Sequence, residues 1–312
     1  MSTQVIKPGY KGELVAFLQE KLGLATDGVY GPKTKAAVLD FQRRHGLVAD
    51  GVVGPRTWAA MQVNPLEYFA DTDTKTSASW IKQYHLPSGE FVEKETTKKW
   101  IFLHHTAGRE NPYKTVDHWA SDQRGRVGTH YVIGGLASKL DLGADLTEED
   151  SKYDGKIVQA IDDKYWGYHL GAVKSSIMHS GSLSIELCSA GILTKAKDGT
   201  YRTWYNAKVH PSQVAVLNSA YRGSIYYHKY SPKQIKSLKA LLMLLSDKHD
   251  IDLRSGVVAQ LHADPENPSR AFEYKEELSR GRITGVLTHG QVRVDKSDVF
   301  PQVELIEMLL SL

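Results

Sequence analysis

The pattern of apolar and polar positions divides the chain into two parts. From residue 98 onward, short apolar runs alternate with longer amphipathic stretches. The runs are typical of buried strands, and the amphipathic stretches are typical of helices packed on a sheet. The predicted order is strand 100–104, helix 115–124, strands 129–133, 157–161 and 184–189, helix 232–249, strand 285–289 and helix 300–310. This alternation predicts an α/β (α+β) fold with a central mixed sheet flanked by helices.

Two stretches interrupt this order. Residues 137–155 are acidic and are expected to form a long hairpin loop. Residues 254–283 are expected to form a polar, partly helical excursion before the last strand. Loops of this length are uncommon in a compact domain, so we interpret both stretches as insertions into the basic fold.

The first 62 residues contain an internal repeat with an offset of 23 residues. The segments FLQEKLGL and DGVYGPKT recur as DFQRRHGL and DGVVGPRT. In each copy a short amphipathic helix ends at a glycine, Gly23 or Gly46, where a left-handed cap costs glycine little. Prolines then suit the first turn of the next element, which predicts helices over 33–43 and 56–61. The repeat predicts a small all-α bundle.

These patterns define three regions of the chain. Residues 1–64 form the helical module, and residues 98–312 form the sheet-containing domain. Between them, residues 65–97 lose periodicity and include the polar run DTDTKTS. Such a stretch predicts a linker.

Candidate metal chemistry lies at the ends of two predicted strands. The run IFLHH ends in His104 and His105, and VLTH ends in His289, with Asp298 shortly after. Two imidazoles and one carboxylate fill three positions of a tetrahedral zinc and leave the fourth for water. Neighbouring strand residues point to opposite faces, so only one of His104 and His105 can face a given metal.

Two alternatives to this ligand set remain open on the sequence. His105 is the main rival to His104, since both end the same run. The pair His262 and Asp264 could also ligate a metal, but it lies in the 254–283 insertion without a strand before it. The single cysteine, Cys188, excludes an internal disulfide and a site of several thiolates, and its apolar neighbours indicate an inert buried thiol.

Charge and the N-terminus constrain the partners. The net charge of +3 arises in residues 1–64, with eight Lys or Arg against five acidic residues. This mild positive excess favours binding to an anionic polymer such as a cell wall, and the alternative is an ordinary solvated surface. The excess is too weak to indicate a nucleic-acid partner. No apolar run reaches the roughly 20 residues of a membrane helix. We expect a monomer, made in the cytoplasm without a signal peptide and not inserted in a membrane.

The repeat resembles the peptidoglycan-binding domain of many wall hydrolases. The resemblance covers about residues 8–62 and rests on the Leu-Gln, Asp-Gly, Gly-Pro-x-Thr and Phe-Gln signatures of the quoted segments. It implies binding to bacterial peptidoglycan. Tyr30, Arg44 and Trp58 are candidate ligand contacts, with packing or surface roles as the alternative.

The second region resembles the N-acetylmuramoyl-L-alanine amidases, a zinc family that includes small phage lysozymes and peptidoglycan recognition proteins. The motifs that carry the likeness are, in chain order, LHHTAG (103–108), VGTHYVI (127–133), GYHLG (167–171), SLSIEL (182–187) and His289 with Lys296-Ser297-Asp298. The resemblance implies Zn²⁺ bound by His104, His289 and Asp298. It also implies a catalytic glutamate at Glu186 and a catalytic lysine at Lys296.

Both catalytic assignments are chemically reasonable. Glu186 could transfer a proton, and the Lys296 ammonium could stabilise an oxyanion. The alternatives are that Glu186 is a solvated acid at the end of a strand and that Lys296 is a charged residue of a loop. Thr129 stands where small phage amidases have an assisting tyrosine, so greater dependence on Glu186 is expected. Thr129 and His169 are also candidate substrate contacts, and His130 is expected to pack or to support a ligand.

The resulting hypothesis is a modular wall-lytic hydrolase that cleaves between N-acetylmuramic acid and L-alanine of the stem peptide. Absence of a signal sequence and presence of a wall-binding module favour a phage endolysin that lyses its host, with a bacterial amidase as an alternative. A non-catalytic peptidoglycan receptor and a zinc peptidase of the stem peptide are the rivals from other functional classes.

Overall fold

The computed structural model describes residues 5–61, 80–137 and 147–312. The chain divides into two compact units, Met1–Ser77 and Ala78–Leu312. Within the described ranges, no helix is both long and apolar enough to cross a bilayer. Residues 65–79 of the predicted linker and residues 138–146 of the predicted acidic loop lie outside the described residues.

The first unit contains three described helices: α1 (Glu13–Lys21), α2 (Pro32–Arg44) and α3 (Pro55–Ala60). They confirm the predicted small helical module, and prolines begin α2 and α3 as expected. Gly23 and Gly46 follow α1 and α2 with φ of 69° and 65°, the left-handed region that favours glycine. Apolar side chains from all three helices meet in one core.

The sequence repeat is a repeated hydrogen-bond arrangement. Gln19 Nε2 donates to Asp27 Oδ1 at 2.6 Å, and Gln42 Nε2 donates to Asp50 Oδ1 at 2.9 Å. In both copies the N–H of the glycine after the aspartate donates to the same glutamine Oε1 at 2.9 Å. The glutamine therefore ties each helix to the Asp-Gly turn that follows it, and the repeated residues specify the fold.

The second unit is built on a six-stranded mixed sheet, which confirms the predicted fold class. The described strands of this unit are β1 (Ile81–Gln83), β2 (Trp100–His105), β3 (Tyr131–Ile133), β4 (Ile157–Gln159), β5 (Ser182–Leu187), β6 (Thr194–Lys195), β7 (Tyr201–Arg202), β8 (Lys208–Val209), β9 (Val214–Tyr221), β10 (Ser224–His228) and β11 (Gly285–Thr288). The large sheet has the order β1-β4-β3-β5-β2-β11. Only the β3–β4 pair is antiparallel among these neighbours.

The helices of this unit cover both faces of the sheet. They are α4 (Pro112–Ala120), α5 (Ile177–Ser180), α6 (Pro232–His249), α7 (Val257–Ala263), α8 (Glu276–Ser279), α9 (His289–Val292) and α10 (Val303–Leu310), with 3₁₀ turns at Pro211–Gln213 and Pro268–Phe272. The three short helical pieces α7, Pro268–Phe272 and α8 confirm that the 254–283 insertion is partly helical.

The alternation of strand β2 assigns its two histidines to different faces. Ile101 and Leu103 join the core that contains α6 and α10, whereas Trp100 and Phe102 join a second core on the opposite face. All six residues of β2 are buried because it is a central strand paired in parallel with β5 and β11. His104 therefore extends the row of Trp100 and Phe102, and His105 extends the other.

Helix α6 begins and ends where the sequence predicts. Ser231 caps it, with its side chain accepting from the Gln234 N–H at 3.0 Å in a capping box, and Pro232 occupies the first turn. The chain leaves the helix through Asp250 in a left-handed conformation. The buried residues Leu238, Leu241, Leu242 and Leu245 anchor this helix to the sheet.

Apart from shifts of a few residues at the ends of elements, the structure differs from the sequence prediction in three places. Residues 81–83, within the predicted linker, pair with β4 as an edge strand, so the second unit begins before residue 98. Residues 190–230, for which the pattern gave no elements, form the β6–β8 sheet and the β9–β10 hairpin. The last sheet strand ends at Thr288, and His289 instead begins α9.

Candidate metal centre and active site

Three polar side chains converge where strands β2 and β11 end. Strands β2 and β11 are parallel neighbours, so His104 and His289 follow them to the same edge of the sheet. The loop after α9 returns Asp298 to this edge, and Gly290 N–H donates to the Asp298 carbonyl at 2.9 Å. His104 and His289 are only 2% and 5% exposed, so the cluster is preformed inside the protein.

The three candidate ligand atoms form a small triangle. His104 Nδ1 lies 3.1 Å from His289 Nδ1 and 3.1 Å from Asp298 Oδ2, and His289 Nδ1 lies 3.0 Å from the same oxygen. Ligand atoms around a tetrahedral zinc with bonds of about 2.0–2.1 Å are separated by about 3.3–3.4 Å. The triangle therefore has nearly the dimensions of one face of such a site.

The proton of His289 is assigned by a backbone partner. Its Nε2 lies 3.2 Å from the carbonyl oxygen of Leu170. A carbonyl only accepts, so Nε2 carries the proton, and the Nδ1 of the neutral ring presents a lone pair to the triangle. This tautomer suits metal ligation.

The proton of His104 is assigned by a longer hydrogen-bond chain. Ser182 Oγ donates to the carbonyl of His179 at 3.4 Å and accepts from His169 Nε2 at 2.8 Å. His169 Nδ1 is then an acceptor and receives the His104 Nε2 proton at 3.0 Å. The Nδ1 of His104 therefore also presents a lone pair to the triangle. Burial lowers the pKa of His104 to about 4, which favours this neutral ring.

The donor set fits a single divalent cation. Two imidazole lone pairs and a carboxylate oxygen cannot all hydrogen-bond to one another, because each is an acceptor. Asp298 supplies the carboxylate of this set, and a cation between the three atoms would be a partner for each of them. Nitrogen and oxygen ligands in this number are typical of catalytic zinc. Within the described ranges, these are the residues whose side chains group as a possible metal site.

Glu186 lies beside this cluster. It pairs with His104 in the parallel register of β2 and β5. Its Oε2 is buried and has no hydrogen-bond partner among the residues that the structure describes. Burial raises the pKa of Glu186 well above its usual range, the Asp298 charge raises it further, and the Lys296 ammonium opposes both. A raised pKa makes the Glu186 carboxylate a stronger base than an ordinary surface carboxylate.

The two alternative metal ligands lie elsewhere. His105 points to the opposite face of the sheet, where its Nδ1 lies 2.9 Å from the Tyr230 hydroxyl. His262 is exposed on α7, and Asp264 forms an ion pair with Arg270 at 3.6 Å. Neither arrangement brings these groups to the triangle.

The other sequence candidates are placed as follows. Thr129 is 2% exposed and donates to the Tyr131 carbonyl at 3.0 Å, which does not favour a substrate contact. In the first unit, Tyr30 and Trp58 are 2% and 1% exposed in the core, which favours the packing alternative over a ligand contact. Arg44 is exposed and paired with Asp40.

Three supporting residues were not singled out from the sequence in this role. The sequence indicates His169 as a candidate substrate contact, whereas in the structure its Nδ1 accepts from the far nitrogen of His104. Ser182 and the Leu170 carbonyl complete the support of the two histidines. The motifs GYHLG and SLSIEL contain all three, yet nothing in their spacing indicates which atoms meet.

Family comparisons agree with this architecture. Residues 94–271 match the N-acetylmuramoyl-L-alanine amidase family model, and residues 11–61 match a peptidoglycan binding domain model. The first match covers more than half of the chain. The chain belongs to the N-acetylmuramoyl-L-alanine amidase family. The match includes His104, His169 and Glu186 of this amidase-family chain and ends before His289, so the full triangle is seen only in the structure.

Several solved structures are similar to parts of this amidase-family chain. A Burkholderia AP3 phage endolysin is 36% identical over 22% of this chain and 32% of its own, with a TM-score of 0.19. A fused Zn-dependent amidase/peptidase/peptidoglycan-binding protein from Clostridium acetobutylicum is 35% identical over 20% and 31%, with a TM-score of 0.19. The amidase AmiD from E. coli, in complex with anhydro-N-acetylmuramic acid-L-Ala-D-gamma-Glu-L-Lys, is 16% identical over 58% and 50%, with a TM-score of 0.30.

These likenesses are partial. The chain spans about a third of the length of the endolysin and of the fused protein. All three TM-scores are below 0.5, and the family assignment rests on the family model. A comparison with curated proteins finds no match to this chain.

Proposed function

We propose that the protein is a zinc-dependent peptidoglycan hydrolase that cleaves the amide between N-acetylmuramic acid and L-alanine of the stem peptide. The observation that carries the proposal is the buried triangle of three acceptor atoms, His104 Nδ1, His289 Nδ1 and Asp298 Oδ2, next to Glu186. Membership of the amidase family supports the choice of bond.

The cofactor proposed for the triangle is Zn²⁺. His104, His289 and Asp298 would hold it, and their tautomers and charge already match its needs. When bound, it would supply a water of lowered pKa and would polarise the amide carbonyl. His169 and Leu170 keep the two rings oriented by accepting the protons on their far nitrogens.

Two further side chains supply the acid–base and charge chemistry. Glu186 Oε2, without a hydrogen-bond partner among the described groups, would take the proton of the attacking water and pass it to the leaving amine. The raised pKa of Glu186 favours the first half of this transfer, because it makes the carboxylate a stronger base. Lys296 is close enough to influence Glu186, and its ammonium would stabilise negative charge on the amide oxygen.

The N-terminal unit is proposed to hold the enzyme on its polymer substrate. Its match to a peptidoglycan binding domain model supports this role, and its mild basic excess suits an anionic wall. Attachment to an insoluble substrate raises the local concentration of the catalytic unit. Exposed Arg44 is the candidate contact that the structure leaves available. We propose that the protein acts as a monomer on the wall during host lysis, as an endolysin.

The test of the metal centre uses purified cell walls and matched histidine variants. His289→Ala removes a proposed ligand, whereas His262→Ala removes an exposed histidine of α7. We expect equilibrium dialysis to show one zinc bound per wild-type chain. We also expect the wild-type protein to lower the turbidity of a wall suspension, and a chelator to prevent this lysis. His289→Ala should lose both properties and His262→Ala should keep both. Wall lysis that survives chelation, or in His289→Ala, would contradict the proposal.

A further inference from the structure

An exposed tryptophan is held at the tip of the β7–β8 hairpin. Trp204 is 73% exposed, whereas Trp58, Trp100 and Trp119 are at most 9% exposed. Leaving so large an apolar side chain in water forgoes the stabilisation that burial would provide. Its position is nevertheless fixed, because its indole Nε1 donates to the Ala107 carbonyl at 2.6 Å.

The hairpin tip is ordered by its own hydrogen bonds. Asn206 adopts a φ of 65°, and its N–H donates to the Thr203 carbonyl at 2.9 Å. Thr203 Oγ1 also accepts from the Ala207 N–H at 3.0 Å. Asn is among the residues that tolerate a left-handed conformation in a tight turn. The turn therefore presents Trp204 from a defined backbone.

Neighbouring side chains fix the ring from one side. Tyr205 meets the Trp204 indole edge-on, with centroids 5.3 Å apart and planes at 89°. The Arg109 guanidinium lies 5.1 Å from the Tyr205 ring centroid. Both Arg109 and the hydrogen-bond acceptor Ala107 belong to the loop after β2. The indole is thus attached to the loop that continues from the strand bearing His104.

The loop that holds the indole begins two residues after His104. Ala107 follows His104 by three residues, so their Cα atoms are at most about 11 Å apart. The hairpin itself belongs to the small sheet that starts at Thr194, shortly after β5, which carries Glu186. The loop after β2, which holds the indole, and the segment after β5, which leads to its hairpin, therefore start at the same edge of the central sheet. The triangle also lies at this edge.

We propose that Trp204 is a subsite for one pyranose ring of the glycan strand at the rim of the active site. The proposal rests on the proposed function, which brings a glycan to this edge. Pyranose rings of amino sugars have a face of C–H groups that stacks on an exposed indole, and hydroxyls and amides around it. The polar pair Arg202 and Asn206, joined by a 3.0 Å hydrogen bond, lies in the same hairpin and suits that polar rim.

The sharpest test uses the fluorescence of the full chain. Among the six tryptophans, Trp204 alone falls in the exposed class, with Trp80 and Trp166 partly buried. Quenching by acrylamide therefore reports chiefly on Trp204. We expect peptide-free glycan fragments from peptidoglycan to protect it from quenching, in wild type and in Glu186→Gln alike. Binding of glycan to the first unit should contribute little, because Trp58 is buried.

Variants connect the signal to the site. Trp204→Leu should abolish the protectable fluorescence and raise KM for walls about two- to tenfold, the equivalent of one aromatic stacking contact, with kcat little changed. Trp204→Phe should retain part of the effect. Val216→Ala, which trims another exposed apolar residue of the 190–230 region, is the matched control and should behave as wild type.

The outcomes separate this proposal from the proposed function. Failure of glycan fragments to protect Trp204, protection by free stem peptides instead, or an unchanged KM in both Trp204 variants would overturn the subsite. Protection of Trp204 by glycan in a protein that releases no wall fragments would uphold the subsite and overturn the amidase proposal.

Discussion

Replacing His169 tests the hydrogen-bond chain behind the proposed metal centre. In the structure, His169 Nδ1 accepts from His104 Nε2 at 3.0 Å, and Ser182 holds the other side of the His169 ring at 2.8 Å. With His169→Leu, the His104 ring loses this acceptor. It can then move its proton to Nδ1, where Asp298 Oδ2 lies 3.1 Å away. The side chain would then present a donor to the metal position.

The magnitude follows from the cost of reversing that tautomer. Restoring the ligating form would break a hydrogen bond to a carboxylate and leave a buried N–H without a partner, about 1–3 kcal/mol. Loss of a supporting hydrogen bond behind a metal ligand typically costs 10–100-fold in affinity, which is about 1.4–2.7 kcal/mol. We therefore expect zinc to bind His169→Leu about 10–100-fold more weakly than wild type.

The assay is a competition titration of zinc against a chromogenic chelator, which needs no catalytic activity. His169→Asn is the matched variant, because its Oδ1 can replace the lost acceptor and should restore much of the affinity. Circular dichroism would verify that both variants are folded. A folded His169→Leu protein with wild-type zinc affinity would refute the tautomer argument.

Three further predictions concern other parts of the molecule. Glu186→Gln should lower kcat for wall hydrolysis by about 10²–10⁴-fold while zinc affinity changes little, as measured by steady-state kinetics and the same titration. Buried Asp163, which accepts from Lys248 at 2.7 Å and His249 at 3.1 Å, has its pKa lowered: burial would raise it, but these hydrogen bonds dominate. The ionised Asp163 carboxylate therefore stabilises the folded state at pH values above about 3.9, which is the pKa of an aspartate in the unfolded chain. This stabilisation is lost as the pH falls below that value. Asp163→Asn should lower the free energy of unfolding by about 1–3 kcal/mol at pH 7 and by less at pH 3, as measured by urea denaturation. Gln42→Ala should destabilise the first unit by about 2–3 kcal/mol, seen as faster amide hydrogen exchange there, and equal exchange in wild type and variant would contradict the role given to the repeat.

Strong local signals allowed much of the fold to be predicted. Helix α6 has a capping serine, a proline in its first turn and an apolar stripe, so its bounds agree with the sequence prediction. Strand β2 is a continuous apolar run because it is buried on both faces. Its alternation also explains why His104, rather than His105, reaches the triangle.

Weak or non-local signals account for what was not predicted. Strand β1 has only three residues, two of them exposed, so its pairing depends on β4 rather than on its own pattern. Strands β6 to β8 have two residues each and carry no readable period. The contact of His169 with His104 joins residues 65 positions apart, and spacing along the chain does not encode which nitrogen atoms meet.

The central claim is that a preformed zinc centre cleaves the bond between N-acetylmuramic acid and L-alanine. The most direct measurement is mass spectrometry of purified peptidoglycan after incubation with the full chain, with and without a chelator. The account predicts stem peptides with a free L-alanine amino terminus and intact glycan strands, lost on chelation and restored by zinc. New termini within the stem peptide, or wall binding with no new termini at any zinc concentration, would contradict it.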